Sequence, residues 1–150
     1  MSFRTGCKAM ALIAFLGLGG VVHAQQADVW RPQAEVERLQ TEIEQPPDPA
    51  RGKKLFKTCR KCHEVEPGQV KIGPSLAGVV GRPPGSVPEF GYSNDMIDYG
   101  ASGVVWNEQT LDRFLTKPRA LINGTKMVFQ GFRKPNDRDD LIAYLSTIRG

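Results

Sequence analysis

Cys59-Arg60-Lys61-Cys62-His63 places two thiols and an imidazole within five residues. That spacing is the attachment motif of a c-type haem, in which both sulfurs bond to the porphyrin edge and the histidine that follows is held beneath the iron. The other cysteine and histidine, Cys7 and His23, lie in an N-terminal segment with the layout of a removable leader. A mature chain without them keeps three potential Cys/His ligands, and a zinc site of the common type needs four. A thioredoxin-like pair requires a βαβ setting, and no strand pattern precedes Cys59. A metal site, a redox pair and a structural disulfide between Cys59 and Cys62 stay open as the alternatives.

The leader reads as a secretory signal over residues 1–24. Arg4 and Lys8 supply its positive end, Ala9 to Val22 its apolar stretch, and Val22-His23-Ala24 its small-residue cleavage site. The apolar stretch is 14 residues long, short of the roughly 20 a spanning helix needs. The mature form is therefore expected to begin near Gln25, to carry no membrane span and to reside in the periplasm. An uncleaved leader acting as a tether is the second reading. Export suits cysteine chemistry that reducing cytosol would oppose, and it removes the chain from nucleic acid.

Charge divides what remains. Gln25 to Ala50 holds two basic residues against six acidic ones, net −4, while Arg51 to Gly150 holds 16 against 10, net +6. The expected organisation is an acidic extension at 25–50 followed by one domain at 51–150, a size that gains useful core from a large apolar cofactor. In the extension Val36, Leu39 and Ile43 recur at helical spacing before Pro46-Pro47. A tether without fixed structure is the competing expectation there, and Trp30 is its one feature suited to docking.

The domain reads as all-α. Asp48-Pro49 forms a helix start, with Gly52, Leu55, Phe56 and Cys59 on one face. From Glu64 to Glu89 there is no helical period, only glycines and prolines that mark long loops. Ser93 is expected to cap a helix carrying Met96, Ile97 and Tyr99, and Asn107 another carrying Leu111, Phe114 and Leu115 that Pro118 ends. Asn136 is expected to cap the last helix, with Asp137, Asp139 and Asp140 at its start and a stripe of Leu141, Tyr144, Leu145 and Ile148.

An iron above His63 needs a ligand on its other face. The mature chain offers Met96, Met127 and lysines that would first have to lose a proton. A methionine in a short apolar helix, such as Met96, is ordinarily a gap-filler in the core. Met127 lies in a stretch without helical period, Asn123 to Phe129, where a loop can press one side chain onto a ligand.

Several motifs in order resemble the class I c-type cytochromes, the mitochondrial type and its bacterial relatives. They are Gly52-Lys53-Lys54-Leu55-Phe56 before the attachment motif, Ile72-Gly73-Pro74-Ser75-Leu76 with Gly78 and Gly81-Arg82 after it, and Phe90-Gly91-Tyr92-Ser93. Trp106, Gly124-Thr125-Lys126-Met127-Val128-Phe129 and Asp140 to Leu145 complete the set, so the resemblance runs from about Gly52 to Tyr144. It implies a small helical domain with long Gly/Pro-rich loops, wrapped around one haem c attached through Cys59 and Cys62 and ligated by His63 and Met127. It further implies that Pro74 sets its loop against the proximal imidazole, that Arg82, Tyr92 and Trp106 bond or neutralise the haem propionates, that Thr125 supports one of them, and that Phe129 covers the exposed edge. Gly52 and Phe56 would meet Leu141 and Tyr144 where the first and last helices cross. Three features depart from the pattern: Phe114 stands where a tyrosine often bonds the axial sulfur, Met96 where an asparagine is common, and the acidic extension has no counterpart in the mitochondrial type.

An iron with both axial positions filled exchanges electrons and little else, so the expectation is a one-electron carrier and not an enzyme. Lys71, Arg119, Lys126, Arg133 and Lys134 are expected to ring the haem edge and to dock redox proteins through acidic patches, the chain itself being a monomer. A dedicated cytochrome subunit of a periplasmic dehydrogenase or reductase is the alternative, held by Trp30 and the extension. A five-coordinate haem enzyme or gas sensor is the third reading.

Overall fold

The structure, a computed structural model, describes residues 32–43 and 45–150. The leader at 1–24, the start of the mature form and Trp30 lie outside the described residues. Six α-helices and one 3-10 turn make up the described regular structure: α1 (Gln33–Ile43), α2 (Pro49–Leu55), the turn Cys59–Lys61, α3 (Asn94–Ala101), α4 (Glu108–Thr116), α5 (Pro118–Leu121) and α6 (Pro135–Ser146). No strand occurs among the described residues, and none of their helices is long and apolar enough to cross a membrane. The stretch expected as either a helix or a tether is helical as α1, with Leu39 exposed.

Local chemistry explains most of the helix boundaries. The Asp48 carboxylate accepts from the Ala50 N–H at 2.8 Å, and Pro49, which has no N–H to satisfy, opens α2. Ser93 caps α3, and Asn107 and Thr110 form a reciprocal capping box on α4. Lys117 is extended, as the residue before a proline prefers, so Pro118 both closes α4 and opens α5.

Two expectations are corrected. Asn136 does not cap the last helix: Lys134 takes that position without a side-chain bond, because Pro135, with φ already set for a helix, starts α6 two residues earlier. The first helix also stops before Cys59. After Leu55 three-residue bonds appear beside four-residue ones: Thr58 N–H to Leu55 O at 3.1 Å, Cys59 N–H to Phe56 O at 2.9 Å and Cys62 N–H to Cys59 O at 3.0 Å, with Arg60 N–H to Phe56 O and His63 N–H to Cys59 O still spanning four. Residues three apart eclipse in a 3-10 turn, so Cys59 and Cys62 share one side of the chain.

α2 and α6 cross at the heart of the core. A Cβ built on Gly52 would lie 1.9 Å from the Asp140 carbonyl oxygen, so only glycine lets the backbones approach. The Phe56 and Tyr144 rings pack there with centroids 5.3 Å apart, and Leu141 is wholly buried. At the edge of the crossing the Asp140 carboxylate accepts from the Asp48 N–H at 2.6 Å and from Arg51 Nε and Nη2 at 2.6 and 2.8 Å. Burial opposes its charge, yet these bonds win and hold its pKa below the usual carboxylate value.

A depressed carboxylate pKa stabilises the fold above the unfolded value of about 4, and that contribution disappears as pH falls through the lower folded value. Asp140→Asn is expected to cost roughly 1.5–3 kcal/mol near neutral pH, toward the low end because Arg51 is exposed. The difference from wild type should shrink at acid pH in urea titrations. A penalty that stays constant down to pH 3 would contradict the assignment.

Candidate functional site

Between the Cys59–Lys61 turn, α3, α4, α6 and the long loops lies a cavity of about 420 Å³ that opens to solvent. Its inner wall is apolar, built from Leu76, Val79, Trp106, Leu111, Phe114, Leu115, Leu141 and Leu145. These side chains pack on one another as part of the core, and together they also line this common space. All nine residues assigned from the sequence line it: Cys59, Cys62, His63, Pro74, Arg82, Tyr92, Trp106, Thr125 and Met127.

The imidazole is oriented by the loop that follows it. His63 Nδ1 lies 2.7 Å from the Pro74 carbonyl oxygen. A carbonyl can only accept, so Nδ1 carries the proton and Nε2 keeps its lone pair for a metal. Burial lowers the His63 pKa, with the Pro74 bond pulling the other way, so the ring stays neutral in neutral solution. Gly73 brings this loop in: a Cβ there would stand 2.4 Å from His63 Cε1 and 2.7 Å from Nδ1. The Gly73 N–H to Cys62 O bond of 2.8 Å and the Leu76 N–H to Glu64 O bond of 2.8 Å fasten the loop to the attachment segment.

Cys59 and Cys62 are free thiols, not a disulfide. Burial pushes the Cys59 thiol up to about 11, which makes it a poor spontaneous nucleophile. Among the described residues no three His, Cys, Asp or Glu side chains gather to hold a metal ion by themselves.

Arg82 marks the polar end of the cavity. Its guanidinium donates to Ala77 O at 2.8 Å and Ser75 O at 2.9 Å, and burial lowers its pKa. Among the described ion pairs none involves Arg82, so a half-buried positive charge faces the cavity without a protein carboxylate. Two backbone bonds, Gly81 N–H to Trp106 O at 2.7 Å and Trp106 N–H to Arg82 O at 2.9 Å, set Trp106 beside it. The Tyr92 hydroxyl, its pKa raised by burial, completes this end.

Met127 is half-buried, and its N–H donates to the Oγ1 of buried Thr125 at 3.3 Å. Met96, Phe114 and Met127 line the same apolar space. The mouth is marked by Ile72 and Val128, 79% and 86% exposed, with Lys61 and Lys126 among the lining residues. Of the basic residues expected around the haem edge, Lys126 lines the cavity; Lys71, next to Ile72 in the chain, is ion-paired with Glu64, and Arg119, Arg133 and Lys134 are exposed. Sequence reasoning passed over Lys61, although its place between the two cysteines was the available signal. It named Ile72 and Val128 only as motif members, because exposure is not legible in residue type.

This donor set fits a haem c. Two thiols share one side of a turn, a neutral imidazole has its outer nitrogen committed, a soft thioether lines the same space, and an unpaired arginine meets the need of a buried propionate.

The family model described as cytochrome c matches residues 49–149. The chain is 46% identical over 104 residues to cytochrome c2 of Rhodomicrobium vannielii, covering 69% of this chain and 81% of that one. It is also 46% identical over 95 residues to cytochrome c type-1 of Ascaris suum, covering 63% and 82%. The solved cytochrome c2 of Rhodospirillum centenum superposes with a TM-score of 0.64 at 32% identity, covering 69% of this chain and 99% of that one. Cytochrome cH of Methylobacterium extorquens gives 0.61 at 39% identity, covering 67% and 98%. With an all-α fold built around a cavity that bears the family's two cysteines, the chain belongs to the cytochrome c family, haem c proteins that carry single electrons and are not enzymes.

Proposed function

We propose that this chain is exported to the periplasm and carries electrons there on one haem c, bonded through Cys59 and Cys62 and ligated by His63 and Met127. The observation that carries the reading is the joint placement of these four side chains on one cavity, with the His63 Nδ1–H spent on Pro74 O. When bound, the haem supplies a reversible Fe(III)/Fe(II) couple, and neutral imidazole with neutral thioether favours the reduced side. Arg82, Tyr92 and Trp106 would hold the propionates, and Thr125 would support one of them. Pro74 keeps the imidazole turned with its Nε2 lone pair free for a metal.

Ile72 and Val128 form a small apolar contact at the mouth, flanked by Lys61 and Lys126. An apolar centre with a basic rim suits brief docking of redox proteins that carry acidic patches, through attraction that salt screens. The export reading rests on the leader at 1–24, and the acidic extension stands apart from the docking face in charge.

The test uses the mature holoprotein. Its ferrous form is expected to leave carbon monoxide unbound, and its electron exchange with an acidic redox protein is expected to slow as salt is added. Prompt carbon monoxide binding would show an open axial position and overturn the closed carrier. An exchange rate indifferent to salt would remove the docking claim.

A further inference from the structure

The loop that presents Met127 is held from outside by the segment at the start of α3. Two hydrogen bonds cross between them: the Gly124 N–H donates to Asp95 Oδ2 at 2.8 Å, and Lys126 Nζ donates to Gly91 O at 2.7 Å. The first joins residues 29 apart in sequence and is built tightly. A Cβ on residue 124 would lie 2.6 Å from Asp95 Cγ and Oδ1 and 2.7 Å from Oδ2, so glycine there admits the carboxylate against the backbone. α3 is itself fixed, with Ser93 capping it and Met96, next to Asp95, buried in the cavity wall. On the loop side, the Thr125 N–H bonds Ile122 O at 3.1 Å and Thr125 Oγ1 receives the Met127 N–H. The carboxylate is thus connected to the thioether by three residues of hydrogen-bonded backbone.

We propose that Asp95 is a positioning residue: its carboxylate, seated against Gly124, fixes the loop that offers Met127 to the iron and so sets how firmly the axial bond resists competing ligands. The proposal rests on the His63/Met127 ligation above. It needs no contact between Asp95 and the haem, because a loop freed at residue 124 samples more arrangements in which the sulfur has left. A ligand that competes for that position then binds more tightly, in proportion to the population with the sulfur away.

The probe is free imidazole added to the ferric holoprotein. Asp95→Ala is expected to bind imidazole about tenfold more tightly than wild type, the consequence of losing one hydrogen bond to a charged acceptor. Asp95→Asn keeps an acceptor oxygen and should return affinity to within about twofold of wild type. Gly124→Ala should loosen the loop in the wild-type background and add little on top of Asp95→Ala, since the carboxylate it strikes is then gone. Wild-type affinity in a folded Asp95→Ala protein, no rescue by asparagine, or fully additive effects would each overturn the proposal. Met127→Ala separates the two readings. If it binds imidazole no more tightly than wild type, Met127 is not the ligand, and the proposal falls with that reading; if it binds far more tightly, the Asp95 series tests the brace alone.

Discussion

Met127→Ala is expected to lower the reduction potential by on the order of a few hundred mV, to abolish the weak far-red sulfur-to-iron band and to let the ferrous protein bind carbon monoxide. A thioether is a neutral, soft ligand that favours Fe(II), and water or a harder ligand in its place favours Fe(III). Apolar surroundings enlarge the effect: Phe114 is buried in the core at the position where a tyrosine often donates to the sulfur, and Met96 lines the wall in place of an asparagine. With Met127 gone, the described wall offers one other thioether, Met96. Redox titration with parallel optical spectra checks the prediction, and Met127→Ala/Met96→Leu decides a retained band. A band lost only in the double variant means that Met96 takes over as ligand; a band surviving both substitutions removes sulfur ligation by either residue. An unchanged potential in the single variant would count against Met127 as the native ligand.

The chemistry of the site was legible because it is local. Cysteines three apart with a histidine directly after them need no knowledge of the fold, and the caps at Asp48, Ser93 and Asn107 are likewise decided within three residues. Where two local signals competed, the wrong one was read: Asn136 is a good cap, but Pro135 beside it is a better first helical residue. The apolar spacing from Gly52 to Cys59 fits an α-helix and a helix that tightens into a 3-10 turn equally well, so the break before the cysteines was not visible.

Contacts between distant segments were the part that could not be read. Arg138, by residue type a surface charge, is buried because Asp112 and the carbonyls of Phe132 and Arg133 receive its donors. Lys71, expected as a docking charge, also pairs with Glu64 seven residues back, a contact its residue type does not declare. Basic residues in the sequence declare their sign but not their place: of the five expected around the mouth, Lys126 is the one that lines the cavity itself. Asp95 and Gly124 gave no hint of one another, although the geometry of one explains the smallness of the other.

Gly52→Ala is expected to be among the most damaging single methyl groups in the domain. Two effects of opposite sign meet at this position. In an isolated helix alanine is better than glycine by about 1 kcal/mol, so exposed helical geometry alone would predict a gain. At the crossing, however, the added carbon would sit 1.9 Å from the Asp140 carbonyl oxygen, 2.6 Å from its carbon and 2.8 Å from Tyr144 Cβ. Backbone atoms of two packed helices cannot yield as a flexible side chain would, so α2 and α6 must separate by roughly 1 Å, and overpacking of this kind costs about 1–3 kcal/mol or more. Separation also loosens the Phe56–Tyr144 packing and the contacts of fully buried Leu141, so the net loss should be roughly 3 kcal/mol, a large part of the ~5–15 kcal/mol that holds a domain together. Urea unfolding of the holoprotein followed by far-UV circular dichroism measures it. A net change below about 1 kcal/mol would mean that the helices slide apart cheaply. In that case the closeness of α2 to α6 would not be what seats the Cys59–Lys61 turn against the cavity.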